Sequence, residues 1–227
     1  MPKLTKLIDS LWLAAIQNFP DEIGFRLRYK YWKRRLKFLG QGVRIDCSVH
    51  LQTPSLISID DNCWIDRGVL LLAGLDQSNR RRRWSGPVPE EGRGEIRIGR
   101  NVHIGAYSIV SGIDAGVIIG NDCTLSSHVK MFAFSHDYRF ADRPDDRSCA
   151  FGSMVSLERQ SLIAGQIELG DNVGVATSVV VLPGVQIGKD SFVGVGAVVS
   201  HGEFPENSRI AGQPAKVVGS RFAVPKI

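Results

Sequence analysis

Residues 167–199 read IELGDNVGVATSVVVLPGVQIGKDSFVGVGAVV, and within and just ahead of them an aliphatic side chain returns every sixth place: Ile163, Leu169, Val175, Val181, Ile187, Val193 and Val199. The same period runs through earlier stretches, at Ile45 and Leu51, at Ile59, Ile65 and Leu71, at Ile98, Ile104 and Val110, and at Ile113, Ile119, Leu125 and Met131. Four residues after each anchor stands a small or β-branched residue, such as Val49, Cys63, Cys123, Val173 or Ala197. Both positions are read as facing inward. A period of six is neither the 3.6 of a helix nor the 2 of a flat strand, so the repeat itself has to explain the fold. Glycine often follows the anchor, as at Gly120 and Gly170, where a chain that keeps turning favours a residue without Cβ.

One short strand and one turn per six residues, with three strands to a coil, give about 18 residues per triangular turn, and successive coils stack at roughly 4.8 Å. The pattern therefore predicts an all-β protein, a parallel β-helix, with residues 45–72, 98–134 and 163–213 forming about six coils. Cys63 and Cys123 fall on the small inward slot and are read as core filler.

Working outward, 227 residues with 43% hydrophobic and 22% charged side chains describe a globular chain and exclude disorder or collagen. Apolar runs such as Leu11 to Ile16 fall short of the roughly 20 residues that span a bilayer, and no cleavable signal pattern opens the chain, so the expected location is cytoplasmic. The cysteines at 47, 63, 123 and 149 show no CxxC spacing and are expected to be reduced. The net charge is +5, yet residues 1–40 hold nine Lys or Arg against three acids, so the whole excess sits there. With no nucleic-acid signature following it, no nucleic-acid partner is expected.

Residues 1–40 form a basic, amphipathic segment, 41–220 the β-helix domain and 221–227 a tail. Within the first, Pro20, Asp21 and Glu22 suit a helix start and Gly40 its end, predicting a helix over 20–40. Phe25, Tyr29, Trp32, Leu36 and Leu39 share one face and cations the other. A stripe of that kind usually faces a core, here capping the open end of the prism; peripheral contact of residues 20–40 with an anionic membrane is the second reading. Residues 74–95 and 135–162 break the hexads and are read as two loop excursions. The first carries Arg80 to Arg83 and Trp84, either a solvated loop or a phosphate holder.

The stretch 167–218, and within it LPGVQIG, VGVGAVV and IAGQPAKVV, resembles the C-terminal signature of the hexapeptide-repeat acyltransferases. Together with FSHDYRF and the basic N-terminal segment, the sequence is similar to the sugar O-acetyltransferases of bacterial surface-polysaccharide synthesis. The resemblance covers most of residues 41–220. It implies a left-handed β-helix, acetyl-CoA as co-substrate, a homotrimer and a sugar or glycan acceptor.

Acetyl transfer to a hydroxyl needs a base in hydrogen-bond reach of it. His50, His103 and His128 lie within the coils, whereas His136 stands where the repeat gives way to the second excursion, and the resemblance makes it the general base of a direct transfer without an acyl-enzyme. Asp137 and Glu158 are the candidates for fixing its tautomer. Cys149 offers a rival nucleophile, with Arg147 as its one basic neighbour and an inert thiol as the plainer reading. The resemblance places the coenzyme groove on Ala176, Thr177, Gly194, Val195, Gly196 and Ser200, with Lys216 near the adenosine phosphates. The sequence departs from the family's usual pattern at Gly174, often Trp, and at Ser200–Gly202, often TKD, where His201 substitutes only weakly for the lysine. Alternatives are an N-acetyltransferase on an amino sugar, a γ-carbonic-anhydrase-like enzyme whose zinc needs three histidines, and a non-catalytic β-helix binding protein. The spacings of His103, His128 and His136 do not resemble the carbonic anhydrase pattern, and no metal site is expected.

Overall fold

The computed structural model describes residues 2–78 and 80–222, with side chains from residue 7 onward. It is a three-sided prism of short parallel strands. The first face holds seven strands, the second eight and the third six. Anchors of successive coils lie directly over one another. On the first face the column runs Leu39, Ile59, Ile98, Ile119, Leu169, Ile187, Phe204; on the second, Ile45, Ile65, Ile104, Leu125, Val175, Val193, Ile210; on the third, Leu51, Leu71, Val110, Met131, Val181, Val199. Nearly every member is buried, and each aliphatic side chain so removed from water contributes about 1.5–3 kcal/mol. Apart from Lys37 and Gly202 at the two ends of the first face, the position two residues before each anchor is buried too, including Cys63 and Cys123.

Two expected anchors fail. Ile113 and Ile163 are only partly buried, because both lie outside the prism walls: Ile113 is in the corner before the strand Val117–Ile119, and Ile163 is in the strand Ser161–Ala164, which belongs to a separate small sheet. The six-residue beat through Ile163 is a coincidence of spacing.

The glycines after the anchors serve packing rather than turning. A Cβ on Gly120 would lie 2.7 Å from the Asp171 backbone nitrogen, and one on Gly170 would lie 2.6 Å from that of Lys189, so the next coil leaves no room. The left-handed backbone falls two residues later, on Asn62, Asn101, Asp122, Asn172, Asp190 and Asn207, whose φ values lie between 56° and 61°. Asn and Asp tolerate that region best among residues with a Cβ, and here they bond along the column: Asn101 Nδ2 donates to Asp122 Oδ1 at 2.8 Å, and Asn172 Nδ2 to Asp190 Oδ1 at 2.7 Å.

The N-terminal segment is two helices, α1 (Pro2–Gln17) and α2 (Asp21–Trp32). The helix expected over 20–40 thus ends at Trp32, and Phe38–Leu39 is already the first strand of the prism, paired with Ser58 and Ile59. Trp32, Leu36 and Leu39 of the expected stripe are buried in the same core as Ile16 and Tyr31, with Tyr29 packed against it. The helices therefore cap the open end. Arg28 fastens them: its buried guanidinium donates from Nε to Ile45 O at 2.7 Å, and from one terminal nitrogen to Phe19 O at 2.7 Å and Ile16 O at 3.1 Å. At the opposite end Ala215–Ser220 folds back antiparallel on Ser208–Gly212 and covers the last edge of the second face. Arg221 still belongs to this closure, donating to Asn172 O at 2.6 Å; the rest of the expected tail, 223–227, lies outside the described residues.

Both excursions leave the prism at the corner between the third and first faces, after Leu72 and after Phe132, two coils apart. They are not plain loops. Phe134–His136 runs antiparallel to Ser161–Ala164, which in turn pairs in parallel with Arg81–Trp84. The two excursions thus form one three-stranded sheet.

Candidate active site

His136 closes the strand Phe134–His136, opposite the buried Leu162. The adjacent Asp137 N donates to Ser161 O at 2.8 Å, and Gly165 N returns to Ala133 O at 2.9 Å, so the histidine rests on a hydrogen-bonded strand whose two ends are fixed. Its ring is half-buried. The Nδ1 atom is fully enclosed and has no hydrogen-bond partner among the described residues.

Neither expected partner carboxylate meets the ring within this chain. Asp137 is buried, but its Oδ2 accepts from Arg83 Nε at 2.7 Å and its Oδ1 from Tyr138 N at 2.9 Å. Glu158 stands exposed on the short helical turn Leu157–Arg159. Arg83 and the residues that follow His136 in the chain, Asp137, Tyr138, Arg139, Ala141 and Pro144, line a cleft of about 350 Å³.

The run of arginines is consumed by acids rather than left in a solvated loop. Arg80 pairs with Asp76 at 2.9 Å and bonds Gln160 Oε1 at 3.0 Å; Arg81 meets Asp142 at 2.6 Å. Arg82 bridges Asp76 at 3.1 Å and the buried Asp114 at 2.5 Å. Asp114 lies on the corner of the coil between the two excursions and also takes Arg93 at 3.1 Å. Burial would push the Asp76 carboxyl up, but hydrogen bonds from Ser78 and Arg80 outweigh it and hold the group below its ordinary value. Asp76 is a near neighbour in sequence, but Asp114, Asp137 and Asp142 lie 32 to 61 residues from their arginines, and nothing in the spacing marks those three in advance. Arg83, the residue that anchors Asp137 beside the histidine, is the functional candidate that the sequence hid among four equals.

Burial pushes the Cys63 and Cys123 thiols up to about 11, in keeping with inert core positions. Cys149 is partly buried, and no basic side chain bonds its sulfur among the described residues. His103 Nε2 lies 3.0 Å from Asp66 Oδ2 on the second face, and His128 stacks on Tyr107 with centroids 5.6 Å apart. Neither approaches a common centre with His136, and no metal-binding cluster of three or more His, Cys, Asp or Glu occurs among the described residues.

Most of the expected coenzyme residues do gather. Ala176 and Thr177, and one coil later Gly194, Val195 and Gly196, occupy the corner between the second and third faces, with Ala176 N bonded to Val193 O at 2.9 Å and Gly196 N to Thr177 O at 3.0 Å. Gly196 has φ +67° and a Cβ there would meet nothing within 4 Å; Val195 is three-quarters exposed. The result is a corner of small residues with accessible backbone, where the expected coenzyme channel would run. Ser200 lies on the other side of the third face, its hydroxyl 3.0 Å from His201 Nδ1, and Lys216 is exposed on the returning strand, paired with Ala211. Within one chain, then, the channel and His136 occupy different corners of the prism.

This architecture and repeat define the class: the chain has the left-handed β-helix of the hexapeptide-repeat acyltransferases. The family described as the hexapeptide repeat of succinyl-transferase matches residues 95–127. In particular, the chain is similar to WbbJ of Escherichia coli, named as an O-acetyl transferase of lipopolysaccharide biosynthesis, with 33% identity over 56% of this chain and 61% of that protein. It is also similar to the galactoside O-acetyltransferase of the same organism, with 29% identity over 53% of this chain and 54% of the other. The match spans little more than half the length of these relatives. Among solved structures, the N-acyltransferase AntD from Bacillus cereus, in complex with dTDP-4-amino-4,6-dideoxyglucose and coenzyme A, superposes with a TM-score of 0.69 at 19% identity, covering 86% of this chain and 89% of that one. A hexapeptide-repeat acetyltransferase from Vibrio cholerae, complexed with acetyl coenzyme A, gives 0.54 at 20% identity over 93% and 84%.

Proposed function

We propose that the protein transfers an acetyl group from acetyl-CoA to a sugar hydroxyl of a surface polysaccharide or its precursor, with His136 as general base. The observation that carries this reading is the half-buried imidazole on a fixed strand, its Nδ1 enclosed and unpartnered, with the next two residues of the chain, Asp137 and Tyr138, lining the 350 Å³ cleft. With Nδ1 turned inward, Nε2 is the nitrogen left to accept the proton of an incoming hydroxyl. The neutral base then carries its own proton on Nδ1, and a buried N–H without an acceptor costs about 1–3 kcal/mol.

The corner at Ala176, Thr177 and Gly194–Gly196 offers small residues and accessible backbone, which suits a pantetheine arm, with Ser200 and Lys216 assigned to the phosphates. Acetyl-CoA supplies the thioester carbon; His136 takes the hydroxyl proton as that oxygen attacks, and the thiolate leaves and is protonated. Because the channel and His136 lie on different corners, a homotrimer that sets one chain's channel against its neighbour's excursion sheet completes the site. The names of the curated relatives support a hydroxyl acceptor; the complex of AntD supports an amino sugar as the second reading.

The deciding test is release of free thiol from acetyl-CoA in the presence of nucleotide sugars, lipid-linked oligosaccharides and amino sugars. Turnover with a hydroxyl acceptor is expected. Turnover on amino sugars alone reassigns the chain to N-acylation, and failure to bind coenzyme A by calorimetry returns it to the non-catalytic binding proteins.

A further inference from the structure

Helix α1 has an outer side for which the fold provides no cover. Leu7, Ile8, Leu11 and Trp12 share one arc of it, and each is more than half exposed. The opposite arc carries Leu13 and Ile16 into the cap and core. The acid of this helix, Asp9, is neutralised from the inner side, where it accepts from Tyr31 at 3.0 Å and pairs with Arg35. The outer side is therefore apolar and without negative charge. Next to it, Trp12, Lys30 of α2 and Lys33, Arg34 and Arg35 just beyond its end line a groove of about 560 Å³. Arg35 is taken by Asp9, and Lys33 donates to Leu39 O. Lys30 and Arg34 make no hydrogen bond or ion pair among the described residues and face solvent.

We propose that α1 and the adjoining cations Lys30 and Arg34 form a docking surface for an anionic lipid bilayer, with α1 lying in the interface plane. An apolar arc flanked by lysine and arginine, with the aromatic ring at the boundary, is the arrangement that binds a negatively charged interface. A second copy applied to the same face in two-fold fashion would bring these cations against their own counterparts, whereas a bilayer of acidic lipid satisfies the apolar and the charged parts together. The surface differs from the α2 stripe read from the sequence, because that stripe is spent on capping the prism. The proposal does not depend on the acetyl-transfer chemistry.

The experiment is co-sedimentation of the intact protein with phosphatidylcholine vesicles, with and without phosphatidylglycerol. Binding is expected only with phosphatidylglycerol and is weakened by raised salt. The pair Lys30→Gln/Arg34→Gln, which touches no core residue, and the pair Leu11→Ser/Trp12→Ser should each weaken it at least about tenfold, with the thermal unfolding temperature retained. Absence of binding to phosphatidylglycerol vesicles overturns the proposal, and so does equal binding to pure phosphatidylcholine that ignores Lys30 and Arg34. A lower solution mass of the Leu11/Trp12 variant also overturns it, by assigning the face to a second copy of the chain.

Discussion

Arg83 Nε donates to Asp137 Oδ2 at 2.7 Å, tying the first excursion to the second at the residue next to His136. The carboxylate is buried and its arginine partly exposed, so the pair acts as a clamp on the strand end that presents the histidine. Asp137→Asn should cost about 1–3 kcal/mol, or a few degrees of unfolding temperature in a chain of this size. Activity should fall with it while the pH profile keeps its shape, and Arg83→Met should show the same losses without adding to them. An Asp137 variant of unchanged stability but shifted pH–rate limb would instead make the carboxylate a direct partner of the ring.

His136→Ala should leave the unfolding temperature within a few degrees of the parent, since the side chain contributes no hydrogen bond from Nδ1, and should lower turnover at least about a hundredfold. Cys149→Ser should leave turnover unchanged. Near-normal activity of the histidine variant would remove His136 from the mechanism, and a dead Cys149 variant would move it to a covalent intermediate.

The thiols should divide into two pairs. Burial pushes Cys63 and Cys123 up to about 11, while Cys47 and Cys149 are partly exposed. At pH 8 an aromatic disulfide reagent should label the latter two readily and the former two only on unfolding, because burial denies the reagent access to Cys63 and Cys123 and holds both as thiols. Rapid labelling of all four in the native protein would mean that the prism opens locally.

How much of this was legible follows from which interactions are local. The prism was readable because every coil repeats one constraint, an aliphatic anchor with a small residue two places before it, and Leu71 over Val110 over Met131 is that constraint seen edge-on. His136 and the channel residues came from the family resemblance on the residues around them. The small sheet was not legible: Arg81–Trp84 pairs with Ser161–Ala164 across some eighty residues, and its glue is ion pairs to Asp76, Asp114, Asp137 and Asp142, which leave no period in the sequence. Ile163 kept the beat of six while its side chain sat in that other sheet, so periodicity alone overran the wall.

Acid should loosen the joint between the excursions and the cap. Burial tends to raise both the Asp76 and the Glu95 carboxyls, but Ser78 and Arg80 bring the first, and Lys37 and Arg97 the second, below their ordinary values. A depressed carboxylate stabilises the fold fully above its unfolded value, about 4 for these groups, and that contribution is lost as pH falls through the lower folded value. Stability should therefore be level from neutrality to about pH 5 and decline below about pH 4. Asp76→Asn with Glu95→Gln should lower the plateau and flatten the decline, measured by denaturant unfolding at a series of pH values. An unaltered slope in the double variant would place the acid sensitivity elsewhere.

The last expectation concerns Arg28, a cation enclosed between two helices and the prism. It faces no acid among the described residues; its compensation is three carbonyls, of Ile16, Phe19 and Ile45, with the Phe25 ring 5.4 Å from its guanidinium carbon. Those carbonyls sit where α1 ends and where the first coil begins, so they have no place in a helix or in a complete ladder. Removing the guanidinium takes the side-chain donor from the carbonyls of Phe19 and Ile45 at about 1–3 kcal/mol each, Ile16 O still accepting from Phe19 N at 3.2 Å, while relieving the desolvation of one charge. The net cost of Arg28→Ala should be about 3 kcal/mol, or roughly 6–12 °C in unfolding temperature, with exposure of the first-coil edge and a tendency to aggregate. Arg28→Lys should recover only part of it, since one ammonium on a different reach cannot bond three carbonyls in the guanidinium's fixed directions. If Arg28→Ala unfolds at the parent temperature, the helices are not held to the prism by this residue, and the capping must rest on Trp32, Leu36 and Ile16 alone.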